Sequence, residues 1–394
     1  MQSTRPAPPV SPTRQEEIAC WLALRLTPGL GHRKALELVQ RFRTPVSVMQ
    51  RSASELQAAG LSGSVARSLA SGCAFEEAAT QIEKLMAIGG EIVAYNDPHY
   101  PPLLKEIYDP PVVLFARGRT ELLQTDMIGV IGSRASTPYG RSVAERLSSD
   151  LAAQGFTIVS GMARGIDTAA HNGALAVGGA TIAVFGCGAD QVYPVENRKL
   201  AERIRDECLI LSDFPLGTPA YPQNFPIRNR IVSGMSAGVL VVEGAEYSGS
   251  LITARLALDQ GREVFAVPGN ITAATSFGPN LLIKQGATLV QQASDIIEGL
   301  PEEVRRRQAT RRNAAAVAAS NSAPQASLPL GPMAPLVQQL VEILRVDEPV
   351  SLDDLLEKME QASSSEVIAS LFELEMLGLV RQLPGKSFVK VWYG

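Results

Sequence analysis

The fold is decided by one stretch, residues 127–170, with the sequence MIGVIGSRASTPYGRSVAERLSSDLAAQGFTIVSGMARGIDTAA. Two short runs rich in Val and Ile, Met127–Ile131 and Phe156–Val159, are typical of buried strands. Each run ends in a glycine turn, and apolar residues at helical spacing follow each turn, at 139–153 and 166–177. The stretch therefore predicts the order strand, turn, helix, twice in succession.

Both turns combine residue types that suit a negatively charged ligand. The residues of this kind are Gly132, Ser133 and Arg134 in the first turn and Gly161, Arg164 and Gly165 in the second. Helix N-termini offer unpaired N–H groups, glycine lets a phosphate approach the backbone, and arginine supplies a planar charged fork. We therefore expect an anion site where these two strands end.

Strands and helices continue to alternate from Asp126 to about Glu298. Further strands are predicted at Thr181–Phe185, Leu209–Leu211, Val239–Val242 and Glu263–Val267, and further helices at 197–206, 226–235, 250–260 and 278–285. The strands show little alternation of apolar and polar residues, as expected when helices cover both faces of a sheet. The pattern predicts an α/β fold with a Rossmann-like, doubly wound, mostly parallel sheet.

Three more segments near strand ends carry anion-binding groups. They are Asn197 with the basic pair 198–199, Arg228 within Phe225–Arg230, and Ser248 with Ser250 before a helix. Several such strand ends along one sheet edge would form a groove longer than a mononucleotide needs. A polyanionic strand fits such a groove better.

Composition divides the chain into segments. The predicted boundaries are a disordered tail at 1–13, a helical domain at 14–90, an extended Rossmann-like core at 91–300, a flexible linker at 301–335 and a small domain at 336–394. The small domain has the outline of a winged helix, with three helices and a hairpin. Its third helix carries Glu366, Glu373 and Glu375 and no Lys or Arg, so it would repel a DNA backbone. We expect it to serve interaction or regulation.

Two features of these flanking segments have open alternatives. The turn at 29–31, followed by the basic stretch 32–34, is either a helix-hairpin-helix that offers N–H groups to phosphates or a tight turn that needs glycine for its dihedral angles. The linker begins with arginines at 305–307 and 311–312, which are either simply solvated or help to hold nucleic acid.

Bulk composition limits the function classes. The chain has 394 residues, a net charge of −4 and 19% charged residues, which is ordinary for a globular protein of several domains and argues against a dedicated duplex-binding protein. The four cysteines lie far apart without a CxxC motif, which argues against zinc and disulfides and favours the cytoplasm. The sequence has neither the apolar core of a signal peptide nor a long apolar run, so we expect neither secretion nor a membrane span.

Catalytic and cofactor motifs are missing or incomplete. The nearest dinucleotide fingerprint, Gly186–Gln191, lacks its third glycine, so a tight turn is favoured over NAD binding. Gly385-Lys386-Ser387 is not a complete Walker motif, because Val380 stands where the first glycine would be. Gly234-Met235-Ser236-Ala237-Gly238 precedes a predicted strand, whereas the serine of a nucleophile elbow follows one. His171, one helical turn after Asp167, is either a base or part of helix capping and packing. We expect no cofactor, no metal and no catalytic set.

The motifs together resemble one family. Gly132–Arg134, Ser160–Asp167, Phe185–Gly188, Phe225–Ile231, Ser248–Ala254 and Val267–Gly269 recur in this order in the bacterial DNA-processing family DprA/Smf. The resemblance covers nearly the whole chain and implies a SAM-like helical domain, a Rossmann-like core and a winged helix. It also implies a non-enzymatic homodimer that binds and protects single-stranded DNA in natural transformation and loads the RecA recombinase.

The resemblance assigns phosphate contacts to Gly132–Arg134 and to Arg164, which stands where many members have Lys. The alternative is a nucleotide-processing enzyme of the Rossmann-like phosphoribohydrolase type. Those enzymes carry a Pro-Gly-Gly-x-Gly-Thr stretch and then a catalytic Glu, whereas this chain has Glu243-Gly244-Ala245-Glu246. A duplex-specific regulator is a third reading, and the acidic helix of the small domain argues against it.

Overall fold

The computed structural model describes residues 13–311 and, further along, 339–340, 343–344, 350–359, 362–376, 380–383 and 387–390. The predicted tail before residue 13 and the predicted linker after residue 311 lie outside the described residues. The chain forms two compact units, Met1–Ala315 and Ala316–Gly394, which are described separately.

The N-terminal domain is helical, as predicted. Its helices are α1 (Arg14–Leu26), α2 (His32–Phe42), α3 (Pro45–Met49), α4 (Ala53–Ala58), α5 (Gly63–Ala70) and α6 (Phe75–Ala87). Capping boxes begin two of them, with Thr13 and Glu16 at α1 and Ser52 and Glu55 at α4. The apolar face of α1 buries Trp21 in the domain core, so packing fixes these short helices.

The turn at 29–31 lies where this domain meets the core. His32 Nε2 is 3.2 Å from a carboxylate oxygen of Asp213, while Arg33 and Lys34 pair with an acid on α2 itself. His32 is therefore committed to a buried partner, whereas the pairs of Arg33 and Lys34 are exposed and contribute little free energy. Both alternatives for this turn stay open.

Asp213 anchors the helical domain to the core. It is fully buried, and Arg25 Nε and Arg230 Nη2 lie 3.4 and 2.8 Å from its carboxylate. Burial alone would raise the pKa of Asp213, but His32 and the two arginines outweigh burial and lower it. A buried carboxylate held by three cationic or donor groups fixes the orientation of the two domains.

A nine-stranded sheet forms the centre of the core. Its strands are β1 (Gly90–Ala94), β2 (Val113–Gly118), β3 (Met127–Ile131), β4 (Thr157–Ser160), β5 (Thr181–Phe185), β6 (Leu209–Ser212), β7 (Gly238–Val241), β8 (Glu263–Ala266) and β9 (Thr288–Leu289). They lie in the order β1-β2-β6-β5-β4-β3-β7-β8-β9. Only the pairs β1–β2 and β2–β6 are antiparallel. The predicted α/β fold with a mostly parallel sheet is confirmed.

Helices cover both faces of this sheet. They are α7 (Pro138–Ala153), α8 (Ile166–Ala176), α9 (Arg198–Glu207), α10 (Asn224–Gly234), α11 (Gly249–Asp259), α12 (Phe277–Lys284) and α13 (Ala293–Gly299). Alternate residues of β3 enter two separate apolar clusters: Ile128 belongs to the cluster that contains Leu147 of α7, and Met127 to the cluster that contains Leu251 of α11. After β6 the chain returns to the other side of β3, so the topological switch point lies between β3 and β7.

The structure differs from the prediction at the start of the linker. Residues 302–311, called the basic helix from here on, are helical, and Val304 is buried. Arg307 and Arg311 lie 2.8 and 3.2 Å from the Asp126 carboxylate. Asp126 immediately precedes β3, so the basic helix lies at the amino edge of the parallel strands. From its composition alone, this arginine-rich segment was expected to be solvated. Asp126, the buried acid that pairs with its arginines, lies about 180 residues earlier in the sequence and gives no local signal.

The second unit has the elements of a winged helix. They are β10 (Val350–Ser351), α14 (Leu352–Lys358), α15 (Ser364–Met376), β11 (Val380–Leu383) and β12 (Ser387–Lys390), with strand order β10-β12-β11. The predicted capping box is present, because Ser363 N donates to Glu366 Oε2 at 2.8 Å and Glu366 N donates to Ser363 Oγ at 3.3 Å. The sequence pattern missed β10, which has only two residues.

Candidate nucleic-acid interface

Two adjoining cavities form a groove at the carboxyl ends of the central strands. The larger, of about 610 Å³, contains Gly132, Ser133, Arg134, Gly161, Arg228, Ser248 and Ser250 in its lining. The smaller, of about 210 Å³, shares Arg134 with the first and extends to Arg164. The fold therefore brings eight of the ten predicted site residues together at the switch point, where open α/β sheets bind their ligands.

Two glycines allow the turn after β3 to pack closely against the turn after β4. A Cβ on Gly132 would lie 2.5 Å from Ile166 Cγ1, and one on Gly165 would lie 2.3 Å from the Ser133 carbonyl oxygen. Gly165, which does not line the groove, also has a φ of 78°. Within the described residues, the N–H groups of Ser133 and Arg134 have no acceptor. These N–H groups are therefore open to a ligand, and their role in binding one stays a prediction.

In the second turn, the N–H groups of Gly161 and Ala163 are used within the protein. Asp167 is buried, and its Oδ2 accepts from both Gly161 N and Ala163 N at 3.1 Å. Burial raises the pKa of Asp167, while Arg228 and these two N–H groups oppose that rise. The N–H groups after β4 thus hold an internal carboxylate instead of a ligand, because a side chain six residues along folds back onto the turn.

Asn197 lies behind the groove and supports its wall. Its amide nitrogen donates to the Met162 carbonyl and to Thr168 Oγ1, both at 2.9 Å, and only 7% of the residue is exposed. Met162 has a φ of 61°, which is uncommon for a residue with a side chain. The side chain of Asn197 therefore stabilises the turn after β4 and does not line either cavity.

Arg134 and two aromatic rings form a platform at the rim of the groove. The Arg134 guanidinium carbon lies 4.9 Å from the centroid of the Phe225 ring, and the ring of Tyr193 lies 5.6 Å from that of Phe225. Gly186 permits this position, because a Cβ there would lie 2.9 Å from the Phe225 ring. Aromatic faces beside arginines are the surfaces on which unpaired bases stack.

The sequence interpretation did not assign a ligand-binding role to these rings. In the sequence, Phe225 stands only as a neighbour of the arginines at 228 and 230, and those cationic residues carry the argument for an anion site. A signal for these rings was present in the sequence, because an aromatic residue lies near basic residues after two different strands. Only the tertiary structure brings those two rings to the same rim.

Arg164 lies at the rim with its charge partly compensated. It forms an ion pair with Glu196, and the side chains are 63% and 61% exposed. An exposed ion pair of this kind contributes little free energy. A phosphate can therefore replace the carboxylate at modest cost.

Arg228 forms the floor of the larger cavity. It is 4% exposed, its Nη1 donates to the Val184 carbonyl at 3.1 Å, and its Nε has no partner within the part of the chain that the structure describes. Gly161 makes room for it, because a Cβ there would overlap the guanidinium group. Burial lowers the pKa of Arg228, while Asp167 opposes that effect.

The N-terminus of α11 forms the opposite wall. Ser248 is the N-cap, yet its hydroxyl caps no helix N–H group and lies 2.8 Å from the Ser250 hydroxyl. The N–H groups of Gly249 and Ser250 have no acceptor in the described ranges. The positive end of the helix and two hydroxyls therefore face the groove.

The two acid–base candidates have structural contacts. His171 is fully buried with Nδ1 2.7 Å from Thr181 Oγ1, and burial lowers its pKa to about 3. Glu243 accepts from Thr137 N at 2.9 Å and from Thr137 Oγ1 at 2.5 Å, and thereby ties the end of β7 to the start of α7. Among the described residues, no three His, Cys, Asp or Glu side chains are placed to hold a metal ion.

Two parts of the chain match known protein families. Residues 91–301 match the family described as DNA recombination-mediator protein A, and residues 321–386 match the DprA winged helix domain. The chain belongs to the DprA/Smf family. This family acts in DNA recombination and natural transformation, and its members are recombination mediators. No helix in the described part of the chain is long and apolar enough to cross a bilayer.

Individual relatives support this assignment. The DNA processing protein DprA of Bacillus subtilis is 46% identical over 215 residues, covering 54% of this chain and 72% of the relative. Protein Smf of Escherichia coli is 40% identical over 296 residues, covering 75% and 76%. The X-ray structure of DprA from Streptococcus pneumoniae is 34% identical with a TM-score of 0.64, covering 74% of this chain and 99% of that one.

Proposed function

We propose that the groove binds single-stranded DNA and that the protein is a recombination mediator without catalytic activity. The observation that carries this proposal is the platform of Arg134, Phe225 and Tyr193 at the carboxyl edge of the sheet. Stacking on these rings needs bases that are not already stacked in a duplex, which favours a single strand. Membership in the DprA/Smf family supports the same assignment.

The charged groups account for the affinity of such a complex. A hydrogen bond from an arginine to a phosphate contributes about 1.5–3 kcal/mol. Arg134 and Arg164 at the rim reach phosphates outside the cavity, and the β3 turn and the α11 N-terminus supply N–H groups within it. Base stacking adds affinity with little sequence preference.

The test is fluorescence anisotropy with a labelled oligo-dT strand and a duplex of equal length, measured across a salt series. We expect the wild type to prefer the single strand, with a salt slope of about −0.7 for each phosphate neutralised. The Arg134→Ala and Arg164→Ala variants should bind more weakly and with shallower slopes. Equal binding of duplex and single strand would contradict the proposal.

Arg119→Ala is the matched control. Gly118 pairs with Leu209, the first residue of β6, so Arg119 lies at the amino edge of the sheet, opposite the groove. Its side chain is 54% exposed and pairs with Glu121. This variant loses the same charge from the protein as Arg134→Ala, and its binding should match that of the wild type.

The remaining parts of the proposal come from the family: protection of incoming DNA, loading of RecA, a homodimer formed through the core, and a cytoplasmic location. Loading is measured as the lag before RecA nucleates on protein-coated single-stranded DNA. Wild-type protein should shorten this lag, and the Arg134→Ala/Arg164→Ala variant should not. Sedimentation equilibrium measures the dimer independently of DNA.

If no strand binds, the nucleotide-processing alternative comes forward, because the larger cavity has room for a nucleotide. A screen of nucleoside monophosphates for released base then decides between the two functions. The contacts of both Glu243 oxygens with Thr137 argue against that enzyme, since a catalytic carboxylate must reach its substrate.

A further inference from the structure

Arg228 is unusual among the inward-facing arginines of the core. Arg230 lies 2.8 Å from the Asp213 carboxylate, and Arg262 lies 3.1 Å from the Glu106 carboxylate. Arg228 is 4% exposed but forms no ion pair within the described residues, and its only hydrogen bond goes to a carbonyl. Asp167 lines the same cavity, but two backbone N–H groups hold its Oδ2. Asp167 therefore compensates the Arg228 charge only from beyond ion-pair distance, and a ligand that contacts the guanidinium directly would stabilise it further.

The groups around the cavity floor match a particular kind of phosphate. Arg228, the hydroxyls of Ser248 and Ser250, and the open N–H groups of α11 line one cavity. A phosphate monoester carries a charge of about −1.5 to −2 and three free oxygens. An internal phosphodiester has a single charge and two free oxygens, and its chain must leave on both sides. The donor set and the burial of Arg228 therefore fit a monoester better.

We propose that the floor of the groove binds the phosphorylated end of a DNA strand, with Arg228 as its counter-ion. This inference rests on the proposed function, because the remainder of the strand passes over the rim. From the floor, the strand reaches the exposed Arg134 and the rings of Phe225 and Tyr193, where internal phosphates and bases bind. The site then determines which end of the strand lies at the floor and the direction in which the strand leaves the groove.

The experiment compares four oligo-dT strands of equal length on the wild-type protein: 5′-phosphorylated, 3′-phosphorylated, hydroxyl at both ends, and circular. One of the two phosphorylated strands should bind about tenfold more tightly than the circle, as expected for a gain of one charged contact set. Thymidine monophosphate that carries its phosphate at the same position, 5′ or 3′, should abolish this extra affinity and leave the binding of the circle unchanged. Equal affinities for all four strands would overturn the inference and leave the proposed function intact, whereas no binding at all would overturn both.

Two variants link the end preference to the cavity floor. Arg228→Lys keeps the charge and removes the fork, and Ser250→Ala removes one hydroxyl with little change in volume. Each should reduce the affinity ratio between the phosphorylated strand and the circle, and Arg119→Ala should preserve the ratio. If Arg228→Lys does not fold, Ser250→Ala and the wild-type strand series still decide. An unchanged ratio in Ser250→Ala would place the phosphate elsewhere and overturn the assignment.

Discussion

Three arginines line the groove, and each has a different environment. Arg134 stacks on Phe225, Arg164 pairs with an exposed acid, and Arg228 is buried without an ion pair in the described part of the chain. Burial strengthens electrostatic interactions, so the same side chain contributes differently at each place. If the groove binds DNA as proposed, we expect Arg134 and Arg164 to govern the salt-dependent attraction and Arg228 to govern which phosphate fits.

Replacing Phe225 with Leu tests the stacking role at constant charge. Leucine keeps the apolar contact with Gly186 but removes the ring face that meets a base. Stacking contributes about 1–3 kcal/mol per base, so we expect affinity for oligo-dT to fall roughly tenfold or more with no change in salt slope. Tyr108→Leu is the control, because Tyr108 is 79% exposed outside the groove lining. A changed salt slope would indicate an electrostatic role instead.

His171 makes stability depend on pH. Its pKa in the folded protein is about 3, lowered first by burial and then by Arg228, whereas the unfolded chain has the ordinary value of about 6.5. The unfolded state therefore binds a proton below pH 6.5 and the folded state does not. The free energy of unfolding should fall by about 1.4 kcal/mol per pH unit from 6.5 towards 3 because of this residue.

Urea unfolding of the wild type and His171→Asn at pH 6.5 and 5.5 measures this effect. Asparagine can still bond to Thr181 Oγ1 but does not titrate. The variant should lose less stability than the wild type between the two pH values, whatever its absolute stability. Equal losses would assign the pH dependence to other groups.

Among the elements, the basic helix shows how one buried acid can order an arginine-rich segment. Asp126 is 5% exposed at its side chain and binds both Arg307 and Arg311. Glu303 also pairs with Arg307, at 3.2 Å, but is 76% exposed. Because the basic helix lies at the amino edge, its arginines are on the opposite side of the sheet from the groove. They therefore fasten the end of the core and do not line the groove.

Asp126→Asn should loosen the basic helix. Breaking a fully buried ion pair costs about 3–5 kcal/mol, and the half-exposed arginines reduce that to about 1–2 kcal/mol here. Glu303→Gln should cost no more than about 0.5 kcal/mol. Urea unfolding measures both changes, and hydrogen exchange of residues 302–311 should accelerate only in Asp126→Asn. Equal effects of the two substitutions would show that exposure does not set the strength of these pairs.

For the whole molecule, all ten predicted site residues belong to the first compact unit, Met1–Ala315. The second unit has its own core, with Leu355, Leu371 and Phe388 buried together. Two units with separate cores can divide their tasks, one for DNA and one for interaction or regulation.

A chain ending at Ala315 should therefore keep the affinity for oligo-dT and the salt slope of the full chain. The reason is that every group assigned to the groove remains present. Anisotropy on both proteins tests this, with circular dichroism as the check on folding. A loss of about tenfold, which is 1.4 kcal/mol, would show that the second unit contributes to DNA binding.

The sequence determined the sheet and the place of its ligand edge. Most strands and helices of the core were predicted to within two residues, because apolar runs and glycine turns are local signals that the backbone must obey. The residues after β3 and before α11 were likewise proposed as ligand-binding groups from local chemistry, because helix N-termini beside arginine, serine and glycine suit anions. Their binding role stays a prediction.

Only the tertiary structure decided which of those groups face a ligand. Folding turned Asp167 onto the N–H groups after β4, placed Asn197 behind the wall, and buried Arg228 without an ion pair in the described residues. It also joined Tyr193 to Phe225, and Asp126 to arginines about 180 residues along the chain. Strand and turn depend on neighbouring residues, whereas exposure and pairing depend on residues far apart in sequence, which only packing brings together.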